Sequence, residues 1–350
     1  MGRREPLWQI WGRRAVSVPS FLVLLLVALA ALPVAVAASV AADVAVPRRG
    51  RLARTRALVF LVIFLLCENA GVLAAWALWV VFLGGALSGR DRWLAANAAL
   101  QRCWCALLLG AGRRVFGLGL EVENPGALGS APFILLARHT STADTVLAAA
   151  LMTGSRNLLL GYVLKRELLW DPCIDIVGRR LPNVFVGRGA GTRGADLEAI
   201  GRLAASLGQS GAVLIYPEGT RFSEAKREAA VARLDTAGRP DLASLAREFR
   251  HVLPPRPAGA LALLDGSPGA DVVILEHVGF EGAATLADFW NGALIGRRLL
   301  VRFRRIARAS IPSVDRERWL FEVWRDTDRW VGEALATQDR PGRAPSEPAA

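Results

Sequence analysis

The chain has 350 residues, of which 53 % are hydrophobic and 21 % charged, and its formal net charge is +12 at pH 7. That length and composition suit one or two folded domains and exclude a disordered or collagen-like polypeptide. Residues 1–120 carry 14 arginines against 4 acids, whereas residues 121–350 carry 29 basic against 27 acidic groups. The basic surplus therefore sits beside the longest apolar runs, an arrangement that suits anionic lipid headgroups and speaks against nucleic acid as a partner.

At the N-terminus, residues 15–42 carry no charge, and as a helix they exceed the ~30 Å hydrocarbon thickness of a bilayer. A second apolar run, residues 57–89, is interrupted only by Glu68, and Arg48, Arg49, Arg51, Arg54 and Arg56 separate the two. The pattern predicts a membrane-embedded helical hairpin over residues 1–89, kinked at Pro33, where a backbone donor is lost. Glu68 is costly in lipid and is expected to face the partner helix or an interface. Arginines flank both ends of both runs, so the positive-inside rule is nearly balanced. A re-entrant hairpin and a cleaved signal peptide, with Phe21 to Leu32 as its apolar stretch, are the competing readings.

From Arg90 to Phe116, Trp93, Leu94, Leu100, Trp104, Leu107 and Leu108 recur at helical spacing, predicting an amphipathic helix for an interface or for a core. Strand-like runs at 132–137, 183–186, 212–216 and 271–276 then alternate with helical stretches at 142–152, 194–207, 224–234 and 241–249. The alternation predicts an α/β fold with a largely parallel or mixed sheet flanked by helices. Residues 316–335 read as a C-terminal helix with Trp319, Val323, Trp324 and Trp330 on one face, and residues 337–350 as a disordered tail. The cysteines, Cys67, Cys103, Cys105 and Cys173, form no CxxC pair, so neither zinc nor a disulfide framework is expected. They read as small packed hydrophobes in a reduced, cytosol-facing protein.

Three histidines, His139, His251 and His277, are the candidates for a general base at neutral pH. The stretch from Phe133 runs as a strand into the turn Arg138-His139-Thr140-Ser141, and a helix capped by Ser141 or Thr142 follows. With His139 in the turn and Asp144 on the first helical turn, the carboxylate can fold back onto an imidazole nitrogen. It then fixes the tautomer and stabilises the imidazolium formed on proton abstraction. A second segment, Leu214 to Arg221, ends a strand at Pro217 and presents the carboxylate of Glu218, the turn residue Gly219, the hydroxyl of Thr220 and the guanidinium of Arg221. Strand ends are where α/β sheets bind ligands.

Together the two segments, HTSTAD and YPEGTR, resemble the signature blocks of the glycerophospholipid acyltransferase family. Val184-Phe185-Val186-Gly187-Arg188 and His251-Val252-Leu253-Pro254-Pro255-Arg256-Pro257-Ala258-Gly259 resemble two further family motifs and occur in the family's order. The residues after YPEGTR look most like the lysophosphatidate and lysocardiolipin acyltransferase branch. Arg138 stands where the family commonly has Asn, Tyr216 replaces Phe, and Gly187 replaces a bulkier or more polar residue. The resemblance implies a catalytic domain over residues 90–336 that acylates a lysophospholipid, with 1-acyl-sn-glycerol-3-phosphate as the foremost acceptor. The donor is acyl-CoA or acyl carrier protein, and no cofactor or metal is required. The catalytic domain is expected on the cytoplasmic side of the membrane. In this reading His139 is the base, Asp144 orients it, Arg188 and Arg221 grip the lipid phosphate, and Glu218 and Gly219 shape the acceptor pocket beside Thr220. Arg256 is equally a phosphate contact or a solvated loop charge.

Ser141 as a covalent nucleophile is the lesser variant, since a cap is its natural role and no GxSxG elbow occurs. His251 and His277 lack a matched carboxylate nearby in sequence and are expected to be structural. A rival reading takes Gly189 to Gly194, which fits GxGxxG, as the phosphate loop of a membrane-bound dinucleotide oxidoreductase. It lacks an acidic residue about 20 positions on and leaves HTSTAD and VLPPR without a role.

Overall fold

A computed structural model describes residues 5–46, 51–86, 89–152, 158–187, 193–207, 211–283 and 285–338. Two long helices come first, α1 (Leu7–Ala45) and α2 (Ala53–Val81), and they pack against each other as the expected hairpin. α1 runs unbroken through Pro19 and Pro33, so the missing donors do not end it. Asp43 closes the hairpin by accepting the backbone amides of Arg54 and Thr55 at 3.1 and 3.0 Å, which supplies the N-terminal cap that α2 otherwise lacks. α3 (Arg90–Phe116) lies against α2 and turns Leu108, Leu109 and Phe116 into the domain core while leaving Leu107 exposed. All three helices are long and apolar enough to cross a membrane.

The rest is a seven-stranded sheet: β1 (Gly119–Glu123), β2 (Phe133–Ala137), β3 (Leu159–Lys165), β4 (Val184–Val186), β5 (Gly211–Ile215), β6 (Asp271–Val278) and β7 (Arg298–Ile306). The order across it is β1-β7-β6-β2-β5-β3-β4. From β6 to β4 every pair is parallel, β6 and β7 are antiparallel, and β1 is parallel to β7. Every residue of β2 and of β5 is buried, as befits central parallel strands covered on both faces. Burying each of their Ile, Leu and Val side chains contributes about 1.5–3 kcal/mol.

One face carries α4 (Leu147–Leu151), α5 (Pro172–Ile176) and the hairpin side. The other carries α6 (Arg193–Ala205), α7 (Glu224–Thr236), α8 (Pro240–Glu248), α9 (Pro257–Gly266) and α11 (Arg316–Gln338), with α10 (Leu286–Trp290) in the β6–β7 connection. The chain leaves β2 toward β3 but returns from β5 toward β6, the reversal at which open α/β sheets form a ligand crevice.

The four expected strands and the mixed α/β class are present. β1, β3 and β7 are additional, and so is α9. The expected helix 142–152 is split into a 3-10 turn, Ala143–Val146, followed by α4. α11 continues to Gln338, into the stretch read as tail. Glu68 is fully buried, and the Cys173 thiol of α5 donates to its backbone carbonyl at 3.2 Å. Cys105 and Cys173 are packed hydrophobes as expected, but Cys103 is exposed.

Candidate active site

Three loops meet at the carboxyl edge of the sheet because β5, β2 and β6 are neighbours there. The loop after β2 carries His139, whose Nδ1 lies 3.0 Å from Asp144 Oδ1. Asp144 sits in the 3-10 turn, and its other oxygen accepts the amides of Thr140 and Ser141 at 2.6 and 2.8 Å. Burial alone would push this carboxyl up. The bond and charge of His139 and the Ser141 amide outweigh that and hold it below the usual carboxylate range. An ionised Asp144 fixes the proton on His139 Nδ1 and leaves Nε2 as the lone-pair nitrogen. The ring also lies against Tyr216, with centroids 4.5 Å apart.

Glu218, after β5, is turned inward. Its two oxygens accept the amides of His139 and Leu253, both at 3.0 Å, so it braces the His139 loop against the VLPPR segment. Burial pushes its pKa up to about 7, against the opposing pull of the Leu253 amide, Arg138 and His139. Gly219 has φ +67°, and a Cβ there would lie 3.1 Å from Arg256 Cδ. The left-handed turn and the close crossing of Arg256 both call for glycine. The Arg256 amide donates to Pro217 O at 2.8 Å, while its side chain is exposed. Arg221 donates to Thr142 Oγ1 at 2.9 Å, and Lys226 reaches Thr220 Oγ1 at 3.3 Å. The fold thus gathers His139, Asp144, Glu218, Gly219, Thr220, Arg221 and Arg256 at one edge. Arg188 and most of Gly189 to Gly194 lie outside the described residues.

Ser141 is fully buried, donates to Ala283 O and accepts the Ala143 amide, so its hydroxyl is occupied as a cap. His251 is held through its backbone amide by Asp328 at 2.6 Å. His277 is different, because sequence separation hides its partner: Nε2 lies 3.7 Å from Asp144 Oδ2 and 3.1 Å from Arg138 O. Burial lowers its pKa, with the Arg138 charge adding to the effect, so it is a neutral N–H donor beside the carboxylate. Arg138, 2 % exposed, binds Glu281 at 2.6 Å and the carbonyls of His277 and His251, tying all three loops to the residue that precedes His139. The one sequence signal of this brace is the unusual Arg in front of His139. An imidazole so oriented, at a crevice with arginines on its rim, is equipped to take a proton from a hydroxyl on an anionic substrate.

Residues 119–258 match the family model described as Acyltransferase. The 1-acyl-sn-glycerol-3-phosphate acyltransferase epsilon of Mus musculus is 26 % identical over 220 residues, which are 59 % of this chain and 59 % of that relative's own length. The crystal structure of PlsC, the 1-acyl-sn-glycerophosphate (LPA) acyltransferase from Thermotoga maritima, matches with a TM-score of 0.53 at 14 % identity, covering 81 % of this chain and 99 % of that one; the likeness is one of fold. HTSTAD, VFVGR, YPEGTR and VLPPR all fall in order within the matched residues, so the stretch that carries the candidate site is the stretch that is similar to the acyltransferase model.

Proposed function

We propose that this protein transfers a fatty acyl group from acyl-CoA or acyl carrier protein to the free glycerol hydroxyl of 1-acyl-sn-glycerol-3-phosphate, giving phosphatidic acid at the membrane. The observation that carries the reading is the 3.0 Å contact from His139 Nδ1 to a buried, ionised Asp144 at the carboxyl edge of the sheet. His139 Nε2 takes the hydroxyl proton as the oxygen attacks the thioester carbonyl. The tetrahedral intermediate collapses with loss of the thiolate, and the imidazolium returns its proton to that sulfur. General-base help of this kind contributes roughly 10²- to 10⁴-fold. Asp144 remains ionised throughout and balances the transient imidazolium. Arg221, which donates to Thr142 Oγ1, meets the acceptor phosphate in this reading, and a planar guanidinium fork suits its terminal oxygens.

The test is to incubate purified protein with acyl-CoA, and separately with acylated acyl carrier protein, and a panel of lysolipids while following free thiol. Release that depends on lysophosphatidate supports the reading. Release with lysophosphatidylcholine alone would move the acceptor to another lysolipid, and no release with either donor and any acceptor would reject acyl transfer.

A further inference from the structure

Away from the His139 loop, the start of α1, the end of α2, the start of α3 and the segment after α5 enclose a groove of about 1050 Å³. Its walls are hydrocarbon and aromatic, including Val18, Val72, Trp76 and Trp79, and the two tryptophans are 64 % and 51 % exposed. Arg14, Arg90, Arg179 and Arg180 line the same groove. Arg14 and Arg179 are committed to buried Asp175, at 2.6 and 2.7 Å, and Arg13 approaches the same carboxylate at 2.8 Å. Glu5 adds a second carboxylate, bound by Arg13 and Arg179. Five arginines thus face two acids.

Half-buried, Arg180 donates to the Ala75 carbonyl at 2.7 Å and to Asn97 Oδ1 at 3.3 Å, both neutral acceptors, and lies over the Trp93 ring at 5.0 Å. No carboxylate among the described residues pairs with it. Burial and the nearby charge of Arg14 pull its pKa down to about 10. A desolvated guanidinium crowded by a second cation favours an anion, and the exposed apolar walls above it favour hydrocarbon. One molecule answering both needs has a phosphate and acyl chains. Tryptophan and arginine at the ends of spanning helices also mark the depth at which lipid phosphates lie.

We propose that this groove holds one anionic glycerophospholipid of the bilayer, its phosphate at Arg180 and Arg90 and an acyl chain along Trp76 and Trp79. The net positive surroundings select against a zwitterionic lipid, whose cationic headgroup would meet the surplus arginines. The apolar walls select against a free anion. None of the lining residues belongs to the base loop or to YPEGTR, so the site does not depend on the acyl-transfer reading.

The experiment uses the full chain in nanodiscs of mixed phosphatidylglycerol and phosphatidylcholine, followed by release into detergent and native mass spectrometry of retained lipid. Phosphatidylglycerol should be retained about tenfold over phosphatidylcholine, as expected for a few added basic contacts. Arg180→Gln should bring the two lipids level, and Trp79→Ala should lower retention of both. If Arg180→Gln does not fold, Arg90→Gln, an exposed position, carries the same comparison. Equal retention of the two lipids by the wild type would overturn the proposal, as would undiminished selectivity in folded Arg180→Gln or Arg90→Gln. Displacement by inorganic phosphate as effective as by phosphatidylglycerol would assign the site to a free anion and overturn it too.

Discussion

His139 and Asp144 make a pair whose worth depends on one contact, and each member has its own expected defect. Asp144→Asn removes the charge and permits the wrong imidazole tautomer, so turnover should fall by ~10² or more, by analogy with the orienting carboxylate of the serine-protease triad. Thiol release measured above and below neutral pH checks this; a loss under threefold in folded protein would remove Asp144 from the mechanism. Arg221→Lys keeps the charge but loses the fork, and should weaken acceptor use by a factor corresponding to ~1.5–3 kcal/mol while sparing the acyl donor. Comparing KM for lysophosphatidate and for acyl-CoA separates the two, and an effect confined to the donor would reassign the residue. Glu218 provides a pH test. Its folded pKa, about 7, lies above its ordinary 4.5, so folding binds extra protons between these values and stability attributable to this group is lost as pH rises through that window. Glu218→Gln, mimicking the protonated form, should lack that loss. Its Tm relative to wild type should therefore climb from pH 5 to 7, and parallel Tm profiles would contradict a raised pKa. At this scale the HTSTAD and YPEGTR residues were legible because base, carboxylate and turn lie close together in sequence. His277, Arg138 and Glu281 were not, because their contacts span about 140 residues and leave no local spacing to read.

Among the elements, the hairpin rests on its anchorage to α5. Asp175, fully buried, gathers Arg13, Arg14 and Arg179, and Glu68 is buried against Cys173 of the same short helix. Asp175→Ala leaves three crowded guanidinium groups without their central carboxylate, which in buried sites costs ~3–5 kcal/mol. Limited proteolysis should then cut near the start of α1 faster than in wild type; unchanged cleavage would show that apolar packing alone holds the hairpin. Deleting residues 1–90 should lower liposome association and activity on bilayer substrates while sparing a detergent-dispersed acceptor, and full activity of the truncation on liposomes would reject a role in delivery. The two apolar runs announced these helices by length and lack of charge alone. β7 escaped notice although Leu299, Val301 and Phe303 alternate with Arg302 and Arg304, since five arginines in and beside the strand read as surface. β3 was hidden by Gly161, where a Cβ would lie 2.4 Å from Pro182 O, so the residue that interrupts the apolar pattern is required by close backbone approach.

Across the whole molecule, the sheet reversal between β2 and β5 and the hairpin packed on α5 place His139 at the sheet's carboxyl edge in a protein whose first helices are long and apolar enough to cross a membrane. The alternation of strands and helices made the α/β class legible, whereas strand order was not, because parallel pairing between β2, β5 and β6 is decided by packing of non-neighbouring segments. The most direct measurement is the rate of thiol release from acyl-CoA with lysophosphatidate, for wild type and for His139→Ala shown to be folded by its melting curve. The account predicts acceptor-dependent release by the wild type and none above background for His139→Ala; near-normal turnover by the folded variant would contradict it.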